Sequence, residues 1–417
     1  MLTRLRYSFR AFGLRNFRIF FLGQTVSLVG TWMQRVAMGW LIYRLTDSAM
    51  LLGVIGFTSL VPTFFVGPFG GVLADRLNRH RVLITTQFLS MVQAAVLAVI
   101  TMTGIVEVWH IVTLSLMLGT VSAFDVPVRQ AFVVQLVDRK EDLGNAIALN
   151  STGFNIARLA GPSLAGLLTA VYGEWLCFLA NAVTFGAVIL SLTMLRIAPH
   201  EPKPHRRALQ DLADGVRYVW RNVPIRAFLL FMAVFSLFGI PYGTLMPIFA
   251  RDILGGGADT LGFLMAAAGL GAIAGALHLA ARTGPIGIGR LIPFSAGLFA
   301  LGIVAFSAST STVYSLLLVI LIGAGQQVTL AGTNTFLQTG VDEHMRGRVM
   351  SFYTMSLLGM APFGSLLAGA VGELLGAPLA LALNGGVVLA GVLVFTTQLP
   401  RIRQAAERGL ERQNGKK

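Results

Sequence analysis

The chain has 417 residues, of which 55% are hydrophobic and 12% charged, with a formal net charge of +14. A soluble domain is charged at about a quarter of its positions, so this composition excludes a water-covered globular fold. It also excludes a nucleic-acid binder, which needs a basic face on a soluble scaffold. Apolar runs long enough to cross a hydrocarbon core of roughly 30 Å as helices recur along the chain. They fall near residues 17–43, 50–74, 82–103, 109–130, 144–171, 174–195, 225–250, 259–282, 289–309, 312–337, 348–372 and 377–399. The 47 glycines and 15 prolines fit membrane helices, which tolerate both where neighbours pack closely.

The first 18 residues hold five arginines and no acid, and no short apolar core with a cleavage site follows, so the first span itself is the expected targeting signal. Placing the N-terminus inside puts 28 of the 32 arginines and lysines in inside segments, and the positive-inside rule then places both termini in the cytoplasm. The first span carries Gln24, Ser27, Thr31, Gln34 and Arg35 on one helical face. The fifth span repeats the pattern with Ser151, Asn155 and Arg158, and Arg158 falls near mid-bilayer, about 20 Å from Asn145 at 1.5 Å per residue. An arginine there costs at least roughly 2.5–3.5 kcal/mol on insertion scales, so it asks for a partner or a water-filled cavity. The sequence offers no carboxylate at a matching depth, which makes Arg158 a candidate for an anionic or electron-rich part of a cargo. The tenth span adds Gln326, Gln327 and Asn334.

Cys177 is the single cysteine and reads as a small buried hydrophobe. His278, without a partner in the pattern, reads as structural. No metal-ligand spacing, nucleotide loop or nucleophile constellation stands out, so neither a cofactor nor a metal is expected. Between residues 196 and 224, three prolines lead into a stretch in which Leu209, Leu212, Val216 and Val219 share one helical face, predicting an amphipathic helix on the inner membrane surface. The tail 400–417 is charged and expected to fray.

The two halves resemble each other: Val26-Ser27-Leu28-Val29-Gly30 matches Phe235-Ser236-Leu237-Phe238-Gly239, and Leu52-Gly53 matches Leu261-Gly262. Duplication of a six-helix half places a cargo site near the midplane between the halves. After the second span come Gly71, Asp75, Arg76, Asn78, Arg79 and Arg81, and this loop resembles the signature of the major facilitator superfamily, with Asn78 where the pattern has a second glycine. The resemblance implies that Asp75 and its arginines lock the inner side of the outward-open state; physically, a carboxylate there also suits a neighbouring helix N-terminus. The equivalent stretch of the second half, Ala280 to Pro285, lacks the acid, so the latch is asymmetric. Gly161 and Pro162 in the fifth span are similar to the exporter signature of the superfamily, although Leu167 stands where a final glycine is usual. Asp125-Val126-Pro127-Val128-Arg129 and Gly30-Thr31-Trp32-Met33-Gln34-Arg35 extend the resemblance to the drug and siderophore efflux branch.

The expected protein is therefore an all-α membrane protein with twelve transmembrane helices in two six-helix pseudo-repeats. Its parts are an N-terminal half (1–195), a linker (196–224), a C-terminal half (225–399) and a tail (400–417). The resemblance implies a monomeric secondary exporter in a bacterial inner membrane that moves an amphipathic small molecule by alternating access, with protons as coupling ion and Asp125 as the available acid. Gln24, Thr31, Gln34, Arg35, Asn155, Arg158, Gln326, Gln327 and Asn334 are the candidate cargo contacts. Two other classes compete: a membrane-embedded sensor or scaffold without transport, and a membrane enzyme acting on lipid-linked substrates.

Overall fold

The computed structural model describes residues 10–66, 78–137, 139–196, 208–282, 288–341 and 343–414. Every long regular element is an α-helix, and no strand occurs among the described residues. The first six helices are α1 (Arg15–Thr46), α2 (Ala49–Val66), α3 (Arg79–Met102), α4 (Val108–Gln135), α5 (Lys140–Tyr172) and α6 (Glu174–Thr193). After them come α7 (Ala208–Arg221), α8 (Val223–Val234), α9 (Ala258–Ala280), α10 (Ile288–Ser307), α11 (Thr312–Gly340), α12 (Glu343–Thr354), α13 (Ala361–Leu375) and α14 (Ala377–Asn414).

Eleven stretches among the described residues are long and apolar enough to span a membrane. Helix α1 is not one of them by composition, because Gln24, Thr31, Gln34 and Arg35 dilute its apolar surface. Its 32 residues still reach about 48 Å, more than a hydrocarbon core requires. Local chemistry sets the boundaries. Asn78 caps α3 by accepting from the Arg81 backbone N–H at 3.1 Å. Gly173 joins α5 to α6 at φ +89°, and Gly376 joins α13 to α14 at φ +83°, a region where a side chain would be strained.

Two findings modify the sequence expectations. The seventh span, Val223–Ile253, is broken by π turns at Phe235–Gly239 and Phe249–Ile253 and by a 3-10 turn at Ile240–Leu245. Pro241 and Pro247 each remove a backbone donor from the helical ladder there. The second expectation concerned the tail: the backbone continues helical to Asn414 in α14 instead of fraying at residue 400. The helical backbone runs through Pro400 and Gly409 to reach Asn414. Finally, the linker forms α7 as expected, and Gly215 seats it closely on α12, within 2.9 Å of where a Cβ would meet the Phe352 ring.

The chain forms two compact units: Met1–His205 with Met246–Ala266, and Arg206–Leu245 with Ala267–Lys417. In the first unit α1 packs along α5 and α6, while α3 packs on α4 and α6. One of its cores gathers Phe17, Phe20, Leu83, Phe132 and Val188. In the second unit α10 packs against α11 and α14, over a stack of rings that includes Phe228, Phe231 and Phe395.

Candidate functional site

Inside the first unit lies a cavity of about 260 Å³. Helix α1 lines it with Gln24, Ser27, Leu28, Thr31, Trp32 and Arg35, a spacing of three and four residues that puts all six on one face. Helix α4 contributes Ser122, Asp125, Val126, Arg129 and Gln130 by the same rule; α3 adds Gln87 and Ser90, and α5 adds Asn150 and Phe154.

Asp125 is the one carboxylate of the lining and is 5% exposed. Its Oδ1 accepts from the Thr86 hydroxyl at 2.8 Å and from Gln87 Nε2 at 2.9 Å. Its Oδ2 lies 3.3 Å from Arg129 Nη2, one helical turn along α4. Three donors thus converge on a buried carboxylate, the arrangement that keeps a charge stable away from bulk water. The Gln87 carbonyl oxygen is buried and has no hydrogen-bond partner among the described residues.

Arg35 differs from Arg129. Its guanidinium lies 5.1 Å from the Trp32 ring centroid, a cation–π contact, and among the described residues no Asp or Glu pairs with it. The side chain is solvent-accessible from the cavity. Trp32 in turn meets Phe154 edge-on at 5.9 Å. The position of Trp32 depends on Gly161 of α5, where a Cβ would fall 2.5 Å from the Trp32 Cβ and 2.9 Å from the Val29 carbonyl oxygen.

The expected cargo residues divide. Gln24, Thr31 and Arg35 line the cavity, together with Asp125. Gln34 is fully buried away from it, donating to Gln93 at 2.8 Å and accepting from Asn181 at 2.6 Å, so it ties α1 to α3 and α6. Asn155 donates to the Ser151 carbonyl of its own helix at 2.9 Å. Arg158 is half-buried, does not line the cavity and has an interaction of its own, which removes the premise of an unpartnered arginine. In the second unit Gln326 is buried and Gln327 half-buried, while Asn334 accepts from Gln338 at 3.0 Å.

Of the expected gate, Gly71, Asp75 and Arg76 lie outside the described residues. Arg79 donates to the Ala131 carbonyl at 3.3 Å, holding α3 to the end of α4, and Arg81 stands in the first turn of α3. Pro162 sits inside α5, its carbonyl oxygen 2.6 Å from where a Cβ on Gly262 would lie; Gly166 faces Gly262 as closely, so α5 and α9 touch backbone to backbone.

Sequence reasoning missed two features. On α3, Thr86, Gln87, Ser90 and Gln93 fall at helical spacing, the same signal that marked α1. At the α1–α2 end of the unit, Arg44 forms a two-point pair with Glu174 at 2.7 and 3.1 Å. Beside it, Tyr43 donates to Asp252 and Arg251 pairs with Asp47. These residues are far apart in sequence, and no local spacing announces them.

An all-helical chain with these spans and a polar cavity between its helices is a membrane transporter of the major facilitator fold. A solved peptide-family transporter, PepTSo, aligns over 94% of this chain and 99% of its own with a TM-score of 0.75 at 13% identity. The chain belongs to the transmembrane secretion effector family, whose model matches residues 7–416. Among curated relatives, the staphyloferrin A transporter of Staphylococcus aureus is 27% identical, over 91% of this chain and 95% of that protein. The multidrug efflux pump Tap of Mycolicibacterium fortuitum is 24% identical, over 88% and 92%. The protein is a multi-pass membrane transporter of the efflux type for small molecules, and not an enzyme.

Proposed function

We propose that the protein is a secondary exporter that carries an amphipathic small molecule out of a bacterial cell by alternating access, in exchange for protons. The cavity on α1, α3, α4 and α5 is the observation that carries this reading: an aromatic wall of Trp32 and Phe154 faces the charged groups Arg35, Asp125 and Arg129. Asp125 is proposed as the proton acceptor. Asn155 and Arg158, with Gln326, Gln327 and Asn334, are proposed to meet the cargo at other stages of the cycle. Both termini lie in the cytoplasm in this reading, the protein works as a monomer of two six-helix halves, and Gly71, Asp75, Arg76, Arg79 and Arg81 close the inner side. Gly161 and Pro162 serve the same cycle by letting α5 slide against its neighbours.

Inside-out vesicles test the proposal. Given a total small-molecule extract of the producing cells, vesicles carrying the protein should concentrate at least one amphipathic compound, detected by mass spectrometry, and lose it on addition of a protonophore. Binding without accumulation would instead indicate a sensor, and a chemically altered compound an enzyme.

A further inference from the structure

The cavity in the first unit is built for one kind of chemical head. Its volume of about 260 Å³ is below that of a site enclosing a whole drug-sized molecule, so it takes part of a cargo. Asp125 and Arg129 satisfy each other within the wall. Two further polar groups of the lining stand out. One is the Arg35 guanidinium, cationic, stacked on Trp32 and paired with no acid among the described residues. The other is the Gln87 carbonyl oxygen, in a side chain 4% exposed and without a hydrogen-bond donor among the described residues. The orientation of Gln87 is fixed, because its NH₂ must face the acceptor-only carboxylate of Asp125 at 2.9 Å, which turns the oxygen the other way. A buried acceptor left unsatisfied is costly, and so is a cation inside a membrane-spanning bundle that forms no ion pair.

We infer that the cavity binds a carboxylate that carries a hydrogen-bond donor close by, as a hydroxy acid or an amino acid does, attached to an aromatic or apolar body. The carboxylate takes the two parallel N–H groups of Arg35, a geometry that a guanidinium offers and an ammonium does not. The hydroxyl or amine donates to the Gln87 oxygen. The apolar body lies along Trp32 and Phe154, whose ring is 44% exposed. The inference rests on the transport reading above and adds the class of cargo.

Binding to the purified protein in lipid nanodiscs tests the inference with three probes: naphthyl-lactate, naphthyl-propionate, which lacks the hydroxyl, and naphthyl-lactamide, which lacks the charge. Titration calorimetry of the unmodified protein should rank them in that order. The amide is expected to bind on the order of ten- to a hundredfold more weakly than naphthyl-lactate, and the propionate about fivefold more weakly. Arg35→Gln should erase the difference between acid and amide, and Gln87→Met the difference between hydroxy acid and propionate, each leaving the other preference in place. Equal binding of acid and amide by the unmodified protein, or no binding of naphthyl-lactate at millimolar concentration, would overturn the inference whether or not the variants fold. Because the readout is binding, the two proposals fail separately. Selective binding without accumulation in vesicles defeats export alone, and export of other cargo with no preference for the acid defeats the cargo class alone.

Discussion

Gly161→Ala is the sharpest test of how the fold holds its site. A Cβ at this position would lie 2.5 Å from the Trp32 Cβ and 2.9 Å from the Val29 carbonyl oxygen, and ordinary contact begins at 3.4 Å. Helices α1 and α5 must therefore part by most of an ångström. Neither neighbour can yield by rotating a flexible side chain, since one is backbone and the other a Cβ fixed to it. Overpacking of this kind costs about 1–3 kcal/mol, while alanine gains up to about 1 kcal/mol over glycine in helix propensity. The net effect is a loss of up to about 2 kcal/mol, visible as a lower melting temperature in detergent. Gly144→Ala, on the same helix with nothing within 4 Å, supplies the control and should melt at or above the unmodified protein. Gly161→Ala should also shift Trp32 and weaken naphthyl-lactate binding, because Arg35 rests on that ring. If Gly161→Ala melts as high as Gly144→Ala, close α1–α5 packing does not position the site.

Gln34→Leu should cost roughly 1–3 kcal/mol of stability by leaving Gln93 and Asn181 without their partner, yet barely change ligand affinity, since Gln34 does not reach the cavity; melting and calorimetry on the same sample separate the two effects. Arg251→Gln breaks the pair with Asp47, whose side chains are 39% and 69% exposed, so solvent screening limits the loss to about 1 kcal/mol or less. A drop in melting temperature larger than that of Gln34→Leu would refute this ordering.

The membrane class and the number of spans were legible because they depend on local, additive properties: run length, charge between runs, and helical spacing. The polar face of α1 was legible for the same reason, and four of its five residues, Gln24, Ser27, Thr31 and Arg35, line the cavity. Gln34 shows the limit of that method. A helical wheel assigns it to the face of Thr31 and Arg35, but a turn of some tens of degrees around the axis carries it to Gln93 and Asn181, and only the packing of α3 and α6 decides. Arg158 shows another limit, since depth can be counted along a helix while the groups around a side chain cannot. The cluster of Tyr43, Asp47, Arg251 and Asp252 joins residues some 200 positions apart and has no sequence signature.

The same geometry states what a proton on Asp125 must do. The carboxylate accepts from Thr86, Gln87 and Arg129, and of these only the guanidinium is a donor in every orientation. A proton added to Asp125 can be received by the Thr86 hydroxyl, which turns to donate to the Leu83 carbonyl 3.0 Å away, or by the Gln87 oxygen after its amide flips. Thr86→Val keeps the shape and removes the first of these acceptors. The charged form of Asp125 keeps Gln87 and Arg129, so naphthyl-lactate binding at neutral pH should change by less than about fivefold, the size of one neutral hydrogen bond. A proton arriving at Asp125, in contrast, loses the hydroxyl as its receiver and has only a flipped Gln87 amide to meet it. Protonophore-sensitive accumulation in inside-out vesicles should fall by on the order of tenfold while binding survives. Accumulation at the unmodified rate in Thr86→Val would mean that the Thr86 hydroxyl takes no part in receiving the proton.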